Sequence, residues 1–211
     1  MCGSSFLDLA DYRRRVAEIY ERVRNSDLDI EERWWQFRRE RDRLFKTHPQ
    51  SALSPEQAAS FTGLRYYPYN PSLRFLLDVD TNVEPGVIQV DLRDDGPTQL
   101  GRFSKDSFYM DGQTVSLSLF WISVYGGGIF LPFRDLTNRD ETYGGGRYLL
   151  DTIKGADLGW ENEKLVIDFN YAYNPSCAYN PRWHCPLAPP ENWLDEPICA
   201  GELGFLQENS P

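Results

Sequence analysis

Hydrophobic positions along this chain follow two periods, and the change from one to the other divides it. Phe6, Leu9, Tyr12, Val16, Ile19 and Val23 recur at steps of three and four, which predicts an amphipathic helix over residues 6 to 24. Ser5 and Asp8 have the spacing of a capping box, and Asn25-Ser26 ends the run. Asp29 and Glu32 repeat the signal before Trp34, Phe37, Arg41, Leu44 and Phe45, with Trp35 alongside, so a second helix runs to about Lys46. Two helices joined by a short polar turn predict a helical hairpin packed on the body. Its aromatic stripe reads as core packing, with a groove for a partner segment as the alternative. Pro49 biases His48 away from helical geometry. Ser54, Pro55 and Gln57 then predict a short helix ending near Phe61-Thr62-Gly63.

From Leu64 the period becomes two. Strands are predicted at 64–68, 73–79, 86–92, 98–103, 107–111, 114–125, 129–133, 147–153 and 164–170, the last two as a hairpin. Turn signals separate them at Asn70-Pro71, Glu84-Pro85-Gly86, Asp94-Asp95-Gly96, Asp111-Gly112, Gly126-Gly127-Gly128 and Gly159. The intervals are too short for helical crossovers, so the expected fold is mainly β: an antiparallel barrel or sandwich, α+β by content once the hairpin is counted. Beyond Asn170 the alternation stops. Residues 171–211 carry seven of the fourteen prolines and several aromatics, which predicts an extended tail wrapped on the sheet and covering an edge, with 207–211 frayed. The expected organisation is therefore a helical part at 1–62, a β domain at 63–170 and a proline- and cysteine-containing tail at 171–211.

Composition narrows the class. With 41% hydrophobic and 14% aromatic residues the chain can bury a core, and no apolar run reaches the roughly 20 residues of a membrane-spanning helix, so a soluble globular protein is expected. The net charge of −10 disfavours nucleic acid, because binding there draws on basic side chains; Arg13-Arg14-Arg15 and Arg38-Arg39 read as solvated helix faces. Met1-Cys2-Gly3-Ser4-Ser5 lacks the regions of a secretory signal, which points to a cytoplasmic protein. The alternative is a lipoprotein or cell-surface protein, since Cys-Gly-Ser-Ser has the form of a mature lipoprotein start. Oligomeric state is left open.

Candidate chemistry concentrates between residues 133 and 148. Arg134 and Arg147 present planar forks suited to an anionic or carbonyl-bearing small molecule, and Gly144-Gly145-Gly146 lets backbone approach a ligand beside the hydroxyls of Thr142 and Tyr143. Asp135 and Glu141 can instead pair with the same arginines and make the loop a strut. Asp168 and Asn170 emerge from an apolar strand and need partners. The candidate proton-handling residues are His48, Glu141 and Asp168; the candidate substrate-binding residues are Arg134, Asp135, Thr142, Tyr143, Arg147, Asn170 and Asn174. The expectation is that Arg134, Arg147, Glu141, Asp168 and His48 converge on one solvent-reachable cavity, in an enzyme or a binding protein; the rival is a noncatalytic module whose charges form a buried network. Cys177 and Cys185, with His184 adjoining, allow free thiols, a disulfide or part of a zinc site, and the tight two-to-four-residue step usual for zinc is absent, so no metal is assigned. No phosphate-binding loop, nucleophile elbow or zinc-protease helix is present. No organic cofactor is assigned either: barrels bind flavin or haem without a short linear signature.

Several stretches resemble one family. His48-Pro49-Gln50-Ser51, Phe61-Thr62-Gly63-Leu64, Tyr66-Tyr67-Pro68-Tyr69, Phe130-Leu131-Pro132-Phe133-Arg134-Asp135, Glu141-Thr142-Tyr143 and Gly146-Arg147-Tyr148-Leu149 are similar to the bacterial and archaeal family catalogued as domain of unknown function 1684. The run from Asp168 to Cys177, Cys185-Pro186-Leu187, Pro189-Pro190-Glu191-Asn192 and Ala200-Gly201-Glu202 extend the resemblance, which spans roughly 34 to 203. It implies that the arginine loop, the Asp-Phe-Asn strand and the two-cysteine tail form one recurring unit, and it implies no activity. The chain departs from the family pattern at Ala52, Arg139, Tyr171 and Trp193, the last two standing where arginine is common.

Overall fold

A computed structural model describes residues 3–92, 96–110 and 112–205. Cys2, the Asp94-Asp95 turn, Asp111 and the 207–211 end lie outside the described residues. The hairpin is made by α1 (Gly3–Asn25) and α2 (Ile30–Thr47), and α3 (Pro55–Ser60) follows. Asp29 caps α2 by accepting the Glu31 and Glu32 amides, both at 3.0 Å. Ser54 and Gln57 close a full capping box on α3. Ser5, by contrast, lies inside α1, which starts at Gly3; Phe6 and Leu7 are exposed there, so packing does not set that end. Val16, Ile19 and Tyr20 of α1 share a core with Trp34, Phe37, Leu44 and Phe45 of α2, joined by Leu64, Leu158, Val166, Tyr171 and Tyr179. The aromatic stripe is core packing, with Trp35 left exposed.

The β region is a sandwich-like pair of antiparallel sheets and does not close into a barrel. One sheet orders β2 (Gly86–Asp91), β3 (Pro97–Met110), β4 (Gln113–Ile122), β5 (Gly128–Phe133) and β6 (Arg147–Asp151) as neighbours; the other orders β1 (Arg74–Leu77), β8 (Lys164–Asp168) and β7 (Trp160–Glu161). Leu117, Leu119, Leu131, Phe133, Leu149, Ile167 and Phe169 fill the layer between them. Burial of about 25 cal/mol per Å² of apolar surface drives that stacking.

Three strand expectations are corrected. The predicted strands 98–103 and 107–111 fall, over the described residues, in one strand, β3, whose register with β4 shifts between Arg102 and Ser104. The polar Ser104-Lys105-Asp106 stretch resembles a turn but pairs with β4, and buried Asp106 is satisfied by Ser104 Oγ and the Asp80 amide at 2.7 Å. Residues 64–68 are no strand: they make a single bridge, Tyr66 to Glu202, flanked by backbone bonds from Tyr67 to Gly201 and from Leu203 to Arg65. Finally, 147–153 and 164–170 do not form a hairpin, because β6 pairs with β5 while β8 pairs with β1 and β7. The hairpin actually formed is β7–β8, turned by Asn162 and Glu163 at positive φ.

The tail is ordered through residue 205 by specific bonds. Past Phe120 and Phe130, β4 and β5 stop pairing, since Pro132 has no amide to donate. Buried Asn192 fills the gap: its amide donates to the Ser118 and Pro132 carbonyls at 2.9 and 2.8 Å and its Oδ1 accepts the Ser118 amide. Among the described residues no helix is long and apolar enough to cross a membrane.

Candidate functional site

The loop between β5 and β6 is built as a strut. Arg147 is 0% exposed; its Nη2 donates to Asp135 Oδ2 and to the Ile198 carbonyl, both at 2.9 Å, and its Nη1 donates to the Ala200 carbonyl. Asp135 Oδ1 accepts from Thr137 Oγ1 and the Thr137 amide at 2.5 and 2.8 Å. Thr142 is buried against Thr137 and Asn138. Arg134 stacks on Trp193, 4.4 Å from the ring centroid, and Glu141 is exposed. Asn174 is turned inward onto Glu202, whose carboxylate also meets Arg41 at 3.0 Å and the Tyr179 hydroxyl. Burial pushes the Glu202 carboxyl above the usual range, with Arg41 pulling against it. His48, buried, bonds Asp11 Oδ2 through Nε2 at 3.1 Å and accepts the Gln50 amide at Nδ1. The Arg14 and His48 contacts hold Asp11 down at about 2.

No ion pair or hydrogen bond among the described residues joins Arg134, Arg147, Glu141 or His48 to Asp168, and none of the four lines the cleft that Asp168 lines. The reason is stoichiometric. A buried guanidinium takes the nearest carboxylate and carbonyls, and Asp135 with the Ile198, Ala200 and Glu202 carbonyls occupies both terminal nitrogens of Arg147, leaving Nε buried without a partner among the described residues.

Asp168 stands at a different place. The β1–β8 register sets it opposite Arg74, whose Nε is 4.0 Å from Asp168 Oδ2. Its Oδ1 accepts the Asn170 amide at 2.9 Å and the Asn170 side chain at 2.8 Å, and Asn170 in turn clasps the backbone of Asn70 through both its Oδ1 and Nδ2. The side chain is 1% exposed, and desolvation lifts its pKa from 3.8 to about 6 against the pull of Asn170 and Arg74. It lines a cleft of about 220 Å³ between the hairpin and the three-stranded sheet, with Arg24, Arg33, Arg74, Trp160 and Tyr171 among the other walls. Among the described residues Arg33 hydrogen-bonds only through Nε, to the Leu28 carbonyl at 2.8 Å, and Arg74 through Nη2 to Glu161, so each keeps donors without a partner there. Tyr171, 2% exposed, has a hydroxyl with no partner. A second groove of about 310 Å³ between α1 and α2 is lined by Arg14, Arg15, Arg22, Arg43, Glu18 and Glu40; Arg14 pairs with Glu18 and Arg22 with Glu40, while Arg15 pairs with Asp11.

The family model DUF1684, described as a protein of unknown function, matches residues 59–203. The chain belongs to this family. The solution NMR structure of an uncharacterised protein from Haloarcula marismortui is 33% identical, with a TM-score of 0.58 over 83% of this chain and 94% of that one. No curated protein matches the chain. In this DUF1684 chain the family match holds Arg74, Trp160, Asp168 and Tyr171, whereas Arg24 and Arg33 come from the helices before it.

Sequence reasoning missed Arg24, Arg33, Arg74 and Trp160. They sit on separate elements with no shared motif, and only the pairing of β1 with β8 brings Arg74 to Asp168. The buried Arg41–Glu202 pair had one visible sign: Arg41 occupies the apolar face of α2.

Proposed function

We propose that this chain binds a small anionic or carbonyl-bearing molecule in the cleft beside Asp168, as an enzyme or a binding protein whose arginine–carboxylate pocket is made by Arg33, Arg74 and Asp168. What supports the reading is Asp168 itself: a buried carboxyl lifted to about 6, facing guanidinium groups with unused donors, in a space large enough for a small guest. Arg33 and Arg74 hold the carboxylate or phosphate group, the Tyr171 hydroxyl donates to a carbonyl, and Asp168, aligned by Asn170, takes or returns a proton near neutral pH. Arg147, Asp135, Thr142 and Asn174 serve to hold the tail and the arginine loop in place.

The rival is a noncatalytic module, favoured by the two buried ion pairs, Arg147–Asp135 and Arg41–Glu202, which act as struts. Phenyl phosphate and benzoate titrated into the folded chain by heteronuclear NMR test the proposal. Saturable shifts centred on the Trp160 indole and Tyr171, weakened at least tenfold by Arg33→Ala and unaffected by Arg22→Ala, are expected. Shifts that never saturate, or that follow Arg22 as strongly as Arg33, defeat it. Binding that survives Asp168→Asn assigns that residue to chemistry rather than to holding the ligand.

A further inference from the structure

The glycine-rich loop packs on the cysteine tail, with the Tyr143 hydroxyl 3.6 Å from Cys177 Sγ, and Cys177, Cys185 and Cys199 are free thiols. The groove between α1 and α2 differs from both, because its walls hold charge that the fold does not use up. Arg14 is spent at both ends, Nη1 on Glu18 and Nη2 on Asp11. Arg15 gives only Nε, to Asp11 at 2.7 Å, and Arg22 gives only Nε, to Glu40 at 2.9 Å. Arg43 is exposed, and its side chain makes no ion pair or hydrogen bond among the described residues. Arg15, Arg22 and Arg43 therefore each keep both terminal nitrogens without a partner there, around a space of about 310 Å³ whose apolar floor is Ile19 and Leu44.

Packing, not charge, sets the width of this groove. Ile19 and Leu44 belong to the core that joins the hairpin to the body, so the helices stay in place whether or not an anion lies between them. Arg15 and Arg22 are rooted about 10 Å apart, seven residues along α1 at a rise of about 1.5 Å each, and Arg43 answers them from α2. Forks spread in this way suit an anion that carries several charges in a row better than a single tetrahedral one. The resident carboxylates are weak competitors: on the arginine side these pairs are 49–59% exposed, and exposed ion pairs contribute little. In a chain of net charge −10, four guanidinium groups gathered on one groove reverse the local sign. The lining residues include no aromatic ring, so a nucleobase has nothing to stack on.

We propose that the α1–α2 groove is a binding site for a linear oligophosphate, held by Arg15, Arg22 and Arg43 and separate from the cleft beside Asp168. Each guanidinium takes a pair of oxygens from successive phosphate groups, and Arg14, already locked to Glu18 and Asp11, closes the wall without joining in.

Calorimetric titration of inorganic tripolyphosphate into the full chain in about 0.15 M salt, with orthophosphate and adenosine triphosphate in parallel, tests this. Saturable one-to-one binding is expected for tripolyphosphate, about tenfold or more tighter than for orthophosphate, and adenosine triphosphate should bind no tighter, since nothing in the groove reads the base. Arg22→Ala and Arg43→Ala should each weaken tripolyphosphate about tenfold, the scale of one charge-assisted hydrogen bond, while Arg39→Ala, exposed on α2 outside the groove, should leave it unchanged. Heteronuclear NMR shifts should centre on the Ile19 and Leu44 amides. Failure to saturate, orthophosphate as tight as tripolyphosphate, or a loss with Arg39→Ala equal to that with Arg43→Ala overturns the proposal. So do shifts centred on Trp160 and Tyr171, which would put the anion in the other cleft. The wild-type ligand ranking and shift map decide it even if a variant fails to fold.

Discussion

Asp168→Asn separates the cost of a buried charge from the benefit of an ion pair. A carboxyl moved from 3.8 in the unfolded chain to about 6 in the folded one prefers its protonated form when folded, at about 1.36 kcal/mol per unit. The sign follows: that preference supports the fold fully below pH 4 and is lost as pH rises through 6, leaving the ionised native state about 3 kcal/mol worse off by pH 7.5. Asparagine keeps an acceptor for the Asn170 amide and removes the titration. Urea unfolding followed by tryptophan fluorescence at steps from pH 4 to 7.5 therefore should show the variant gaining on the wild type by about 2.5 kcal/mol across that range. Other groups cancel in the difference. A difference flat to within about 0.5 kcal/mol, smaller than one pKa unit is worth, would refute the reasoning. So would a variant that loses about 3–5 kcal/mol at every pH, since the Arg74 pair would then outweigh desolvation.

Other perturbations address the struts and the cleft. Arg147→Met leaves Asp135 buried without its cation, and urea unfolding should show a loss of about 3–5 kcal/mol. Glu202→Gln should cost a similar amount by stranding Arg41, and a double-mutant cycle with Arg41→Met should recover about 1–3 kcal/mol of it as coupling. Gly146 has φ +88°, and a Cβ there would be driven into the Phe133 carbonyl oxygen, so Gly146→Ala should lower the thermal midpoint and the yield of folded protein. Arg33→Ala should leave stability within about 0.5 kcal/mol of wild type while weakening the phenyl phosphate response at least tenfold, because Arg33 is partly exposed and holds only a backbone carbonyl among the described residues.

Local signals in this chain were readable where neighbours in sequence are also partners in space. Asp29 and Ser54 announce their helices because a cap bonds amides two or three residues away, and the α2 stripe is buried because one face of a helix is contiguous every third or fourth residue. Antiparallel strands were legible from the period of two. Their partners were not: Ser104-Lys105-Asp106 has the composition of a turn yet lies inside β3, since long-range bonds to β4 and Asp80 satisfy its polar groups.

The candidate site shows the same division. Asp168 and Asn170 stood out from sequence as polar groups in an apolar strand, and the structure keeps them together because they are two residues apart. Their cation was chosen by topology: with β8 beside β1 rather than β6, Asp168 faces Arg74, and Arg147 faces Asp135 and the tail carbonyls. Sequence by itself determined which segments are helical, which alternate and which charges must find partners. Only the tertiary structure decided which partner each charge found, because a buried ion pairs with whatever the packing brings within a few ångströms, regardless of separation along the chain.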